Sequence, residues 1–273
     1  MLNTATPKEM SHKLQDITLY YPDSQNQKLS KTFSGRSYVV TDLYVHFLNA
    51  YKPPKTSRVS VELGTDNNSM SYFGSILRLY HPFDKDQFWQ LNEIEQKREI
   101  LEMAHKVAMR CCKEYNWDKE VFEQAYQKVL EINFRYEIEL KKKLSPNRKQ
   151  KACLVLEKNE RCAIISSLFL NSSNERLNKV ELFRLPQHEM FYGSIIKKSR
   201  WFGTDFGISE CEGELRITAN SEATERTVEY LPNNYTQDRL KRALNQLTCP
   251  EINSREEYEA WMKGELSTTN ADE

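Results

Sequence analysis

The chain has 273 residues, 39% of them hydrophobic and 29% charged, with 39 basic side chains against 39 acidic ones. That length suits one large domain or two small ones, with a core of ordinary depth. The even charge balance gives no global drive toward nucleic acid or an anionic membrane, and no apolar run reaches the roughly 20 residues that cross a bilayer.

The opening "MLNTATPKEMSHKLQD" has no apolar stretch behind a basic start, so it reads as a loosely ordered arm and not as a secretory signal. Residues 1–35 are expected to form an arm or long loop with one strand, "DITLYY" (16–21). "SYVVTDLYVHFLNAY" is rich in β-branched and aromatic residues and reads as β structure, stopped by Pro53 and Pro54. "RVSVELG" alternates, with Val59, Val61 and Leu63 on one face and Ser60 and Glu62 on the other. "TDNNS" reads as a turn and "MSYFGSILRLYH" as the partner strand of a hairpin.

The period changes after Asp84. Asn92 with Glu95 makes an N-cap and capping box, and Leu101, Ala104, Ala108, Cys111 and Tyr115 recur at the spacing of one helix face. Asp118 caps a second helix with Phe122, Ala125, Val129, Ile132, Tyr136 and Leu140 on its apolar face, ended by "LSPNRK". β pattern returns after Lys151, with a hairpin around Lys158–Glu160, then "LNKVELFRL", "EMFYGSIIKKS", "GELRITAN" and "RTVEYL" as strands. A helix over 236–247 and another from Ser254, capped with Glu257, precede a disordered tail at 267–273.

The phrase "YFGSILR" (72–78) returns as "FYGSIIK" (191–197), and a shift of 119 residues also places Val61-Glu62-Leu63 on Val180-Glu181-Leu182. The spacing predicts an internal duplication. The expected fold is α+β, antiparallel sheets covered by helix pairs, with a first strands-then-two-helices half at 36–150 and a second at 151–266. Gly74 and Gly193 are then strand glycines marking a bend.

The motifs that carry chemistry are scarce. The eight glycines form neither GxGxxG nor GxxxxGK, which disfavours dinucleotide and P-loop sites, and no cofactor is expected. The six cysteines show no CxxC and the five histidines no HExxH, so no metal site is expected and the thiols read as those of a reduced cytoplasmic protein. "TDFG" (204–207) stands without the other elements of a kinase and reads as a turn. Asp84 with Asp86 and Glu212 with Glu214 could hold a hard cation, but helix capping and turn roles account for them. His105 falls off the apolar face of its helix and reads as solvated.

One segment is strongly basic: "KKKLSPNRKQK" contributes Lys141, Lys142, Lys143, Arg148, Lys149 and Lys151 with no acid. A second, Lys197, Lys198, Arg200, Trp201 and Phe202, sets cations beside aromatics, a composition that suits single-stranded nucleic acid or a protein interface. Tyr72, Phe73, Phe191 and Tyr192 complete the candidate contact residues. The residues favour a non-catalytic, cytoplasmic protein-interaction module of antitoxin, immunity or adaptor type, with another protein as partner and no membrane. Two alternatives stay open: a nucleic-acid-binding or RNA-processing protein using the two basic segments, and an enzyme whose site is assembled from distant residues.

Overall fold

The computed structural model describes residues 12–21, 26–64 and 69–248, and not the side chains of 27 or 189–191. The chain folds as two compact units that divide between Arg135 and Tyr136. The class is α+β: among the described residues there are six α-helices and three sheets.

The N-terminal unit begins with β1 (Asp16–Tyr20), α1 (Gln27–Phe47), β2 (Arg58–Leu63), β3 (Met70–Phe73) and β4 (Ile76–His81). Its sheet runs β1-β2-β4-β3; β1, β2 and β4 are parallel, and only β3 is antiparallel. The expected all-antiparallel arrangement fails here because residues 27–47, expected as loop and strand, form a helix. Parallel neighbours need a long crossover, and α1 supplies it between β1 and β2. Asn26 caps α1, its Oδ1 accepting from Leu29 N at 3.2 Å. Val39, Val40, Leu43, Tyr44 and Leu48 are buried at helical spacing, so tertiary packing overrides the β-branched composition. Val59, Val61 and Leu63 of β2 are buried as the alternation predicts.

Helices α2 (Lys85–Gln90), α3 (Glu93–Tyr115) and α4 (Lys119–Glu131) follow. The predicted caps are present: Asn92 and Glu95 exchange both hydrogen bonds of a capping box, and Asp118 Oδ1 accepts from Glu120 N at 3.0 Å. Asp84 caps α2, accepting from Asp86 N and Gln87 N. α4 ends well before the predicted "LSPNRK", because Asn133 and Phe134 take φ of 48° and 59°, which no helix continues. The apolar spacing at Tyr136 belongs instead to the next unit, in β5 (Glu137–Glu139) and its flanks.

The C-terminal unit holds two antiparallel sheets. In one, β5-β7-β8-β9, with β6 (Lys143–Leu144) also on β7, is built from β7 (Gln150–Lys158), β8 (Ala163–Asn171) and β9 (Arg176–Leu185). The other runs in order through β10 (Arg200–Phe202), β11 (Asp205–Glu210), β12 (Leu215–Ala219) and β13 (Thr227–Tyr230). The sheets pack through Phe169 and Trp201, rings 6.1 Å apart, and through Ser167 Oγ donating to Phe206 O at 3.1 Å. Cys153, Val155, Leu168 and Leu170 form a buried cluster on the other face of the first sheet. "EMFYGSIIKKS", read as a strand, is α5 (Glu189–Ile196); its apolar positions fit either period over so short a run. α6 (Gln237–Gln246) matches the helix predicted at 236–247. The predicted helix from Ser254, the "TDNNS" turn, the first residues and the tail lie outside the described residues.

The repeated phrase adopts two conformations. Gly74 opens the two-residue turn of the β3–β4 hairpin at φ +61°, whereas Gly193 is helical. The hairpin that resembles β3–β4 lies elsewhere: Phe202-Gly203-Thr204 joins β10 to β11 by a two-residue turn with Gly203 at φ +67°. A glycine at positive φ in the first turn position is what a type II′ hairpin requires.

Candidate functional site

On the N-terminal unit the candidate residues Tyr72 and Phe73 end strand β3. Tyr72 is held: its hydroxyl lies 2.8 Å from Thr56 Oγ1, its ring meets Tyr115 edge-on at 5.4 Å, and Lys55 Nζ sits 4.5 Å above it. Phe73, pointing the other way on the pleat, is 83% exposed, the most exposed large hydrophobic side chain among the described residues. β3 is also the outer strand of its sheet, so one row of its backbone groups has no described strand beside it. A held tyrosine, an exposed ring and an outer strand therefore share one hairpin.

On the C-terminal unit the fold brings the two basic segments together. Trp201 Nε1 donates to Lys143 O at 3.1 Å, and Lys143 Nζ donates to Ser199 O. The segment 141–151 supplies β6, a turn and the start of β7, while Arg200–Phe202 is β10, the outer strand of its sheet. Two guanidinium groups approach the Phe202 ring, Arg200 at 4.8 Å and Arg216 at 5.3 Å from its centre. Not every base is available. Lys142 pairs with Glu139 at 3.2 Å and Lys198 with Glu210 at 2.8 Å. Lys151 Nζ is spent on Asn174 Oδ1 at 2.8 Å. Lys141, Arg148, Lys149, Lys197 and Arg200 are exposed and make no ion pair among the described residues. Trp201 is half-buried against Phe169 and Phe206.

Phe191 and Tyr192 fall on helix α5 and not on a strand. Tyr192 is buried, and its ring lies 5.2 Å from Nζ of the buried Lys158, which Tyr136 approaches at 5.0 Å. The side chain of Phe191 is outside the described set.

Pattern reading missed a polar chain that ties three helices of the N-terminal unit. His105 of α3 is only 12% exposed, its Nδ1 2.9 Å from the Tyr44 hydroxyl of α1 and its Nε2 3.4 Å from Glu123 of α4. A carboxylate only accepts, so Nε2 carries the proton and Nδ1 accepts from the tyrosine. Burial lowers the His105 pKa even against the raising effect of Glu123 and Glu102. Burial also raises Tyr44 well above the ordinary phenol range, and Tyr44 is fully buried. One end of the chain is a buried phenol and the other, Glu123, is 43% exposed; together they tie α1, α3 and α4. The thiols of Cys111 and Cys112 are pushed up by burial to about 12 and about 11, so both stay protonated at neutral pH and neither is an activated nucleophile.

Glu214 is buried in the C-terminal unit and clamps a loop. Its carboxylate accepts from the backbone N–H groups of Asn233, Asn234 and Tyr235 at 2.7, 2.7 and 3.0 Å. Burial would raise its pKa, but these donors prevail and hold it below the usual range. Among the described residues no cluster of three or more His, Cys, Asp or Glu could hold a metal ion, and no helix is long and apolar enough to cross a membrane. No protein family, no curated protein and no solved structure matches the chain.

Proposed function

We propose that this chain is a non-catalytic binding protein that captures another protein at the outer strand β3, with Phe73 as the anchor. The observation that carries the reading is Phe73, 83% exposed on an outer strand that has no described strand on its far side. An added strand gains backbone hydrogen bonds from such an edge, and a desolvated aromatic anchor supplies most of the binding energy of many interfaces. The test is capture of partners by the tagged full chain from cells that make it, with nuclease present, using wild type and Phe73→Asp in parallel. The expected result is a stoichiometric protein held by wild type and lost by the variant. Equal retention by both would refute the edge reading.

A second reading, nucleic-acid binding, is favoured by the juxtaposition of 141–151 with 197–202. Five exposed cations without carboxylate partners would give a log–log salt slope of about −3.5 on single strands if all engage. Anisotropy titration of a labelled single-stranded RNA at several salt concentrations measures it, and a slope near zero rejects this reading.

A further inference from the structure

The even charge of the whole chain conceals an uneven distribution. Residues 251–273 carry seven carboxylates against two bases, Arg255 and Lys263. Residues 136–250 carry nineteen Lys and Arg against fifteen Asp and Glu. A basic body is therefore joined to an acidic segment of nearly equal and opposite excess.

The excess of the body is concentrated. Lys143 Nζ donates to Ser199 O, and this contact joins the two basic segments. Lys141, Arg148, Lys149, Lys197 and Arg200 all stand within six residues of it in sequence. All five are exposed and make no ion pair among the described residues, whereas their neighbours Lys142 and Lys198 are neutralised by Glu139 and Glu210. Like charges gathered in this way repel one another and attract whatever counter-charge can reach them.

The acidic segment can reach them. The described chain ends at Thr248, which bridges to Arg184 of β9. Arg184 is linked through Ile164 to Glu157 of β7, and β6 joins the same strand at Lys151. From Thr248 to β6 is thus six residues along β7, at about 3.4 Å each, and four strand spacings of about 4.8 Å across, a path of roughly 30 Å. Residues 249–265 span up to about 56 Å when extended. With 254–264 helical at about 1.5 Å per residue the span is still roughly 36 Å. Glu265, Asp272 and Glu273 therefore come within range in either conformation. Exposed ion pairs are individually weak, but a tether holds these carboxylates at an effective concentration of about a millimolar or more, so a few such pairs suffice.

We infer that residues 265–273 fold back on the basic edge of the C-terminal unit, setting Glu265, Asp272 and Glu273 against Lys141, Lys149 and Lys197. The contact rests neither on the reading of β3 nor on nucleic-acid binding. A nucleic acid would compete with it for the same cations.

The test is zero-length cross-linking of the full chain with a water-soluble carbodiimide, which condenses a lysine amine with a carboxylate in contact with it, read by peptide mass spectrometry. Lys198 with Glu210, 2.8 Å apart, is the internal standard. Equal amounts of ¹⁴N- and ¹⁵N-labelled chain are mixed, so that links within a chain and links between chains differ in mass. The expected result is links from Lys141, Lys149 or Lys197 to Glu265, Asp272 or Glu273 within one chain at about 10 mM salt. Their yield relative to the standard should be largely lost at about 1 M, where the screening length falls from about 30 Å to about 3 Å. Arg148→Gln, which removes a charge and no amine, should cut the yield about twofold. Absence of these links where Lys198–Glu210 has formed, or carboxylates of 265–273 linked chiefly to lysines elsewhere, would overturn the proposal. Links formed only between heavy and light chains would overturn it too, making this a contact between copies. Yields undiminished by both high salt and Arg148→Gln would refute its electrostatic basis.

Discussion

Gly207 gives the most direct test of how the C-terminal unit holds its basic edge in place. It sits in β11 opposite Arg200 of β10 on one side and Thr218 of β12 on the other. A Cβ at Gly207 would stand 2.1 Å from Ile217 O and 2.8 Å from Thr218 Cα. Ordinary contact begins near 3.4 Å, so the new carbon is more than an ångström too close to Ile217 O, a main-chain atom that has no rotamer to escape into. Overpacking of a core costs about 1–3 kcal/mol where side chains yield. Here β12 itself must move, so Gly207→Ala should cost about 3 kcal/mol or more. Gly203→Ala is the matched control: at φ +67° with nothing within 4 Å, it should cost only the left-handed penalty of about 1–2 kcal/mol. Urea denaturation of the full chain, followed by far-UV circular dichroism and tryptophan fluorescence, reads both. The ¹⁵N resonance of the Trp201 indole should also shift in Gly207→Ala, because β10 hangs on β11. If Gly207→Ala costs less than Gly203→Ala, the close approach of the strands is not what this glycine serves.

Other outcomes follow from the same geometry. Phe73→Asp should leave the unfolding free energy of the isolated chain within about 0.5 kcal/mol, since the ring contacts little, while abolishing partner capture; a large stability loss would mean the ring is packed. Tyr44→Phe should cost about 1–2 kcal/mol in denaturant melts, because it leaves His105 Nδ1 buried without its donor. A cost near zero would remove the tie between α1, α3 and α4. His81 and His105 have pKa values lowered by burial, so the unfolded chain binds protons that the folded chain refuses. The sign is fixed: their contribution is complete above the unfolded value near 6.5 and is lost as pH falls toward the folded values. The Tm should therefore drop between about pH 7 and pH 5, and His105→Gln should flatten the drop; a flat wild-type profile would contradict the burial of these rings.

Much of the N-terminal helix pair was legible because its signals are local. Asn92, Glu95 and Asp118 cap through side chains three residues or fewer from the groups they satisfy. The β7–β8 hairpin and strands β12 and β13 were legible for the same reason. α1 was not, because Val39, Val40, Thr41 and Val45 argue for a strand, and only burial on a sheet that the sequence does not display reverses that preference. The end of α4 was missed because the helical spacing runs on past Asn133, whose left-handed backbone is set by the turn and not by hydrophobicity. Each half of the basic edge was visible as composition. Their meeting was not, since Trp201 and Lys143 are brought together by pairing across two sheets. The His105 chain was invisible once Tyr44 had been placed on a strand.

The two-residue turn at Gly74-Ser75 has a consequence for how the exposed edge can change. A hairpin closed by so short a turn takes its register from length alone. Tyr72 is half-buried and Phe73 exposed only because Phe73 stands opposite Ile76. One inserted residue would slide β3 by a step, turning the held tyrosine outward and the phenylalanine toward its neighbours. Substitution at position 73 leaves the scaffold untouched, while a change of length at 74–75 inverts the whole surface. The side chain that this strand exposes can therefore change by point mutation but not by insertion or deletion.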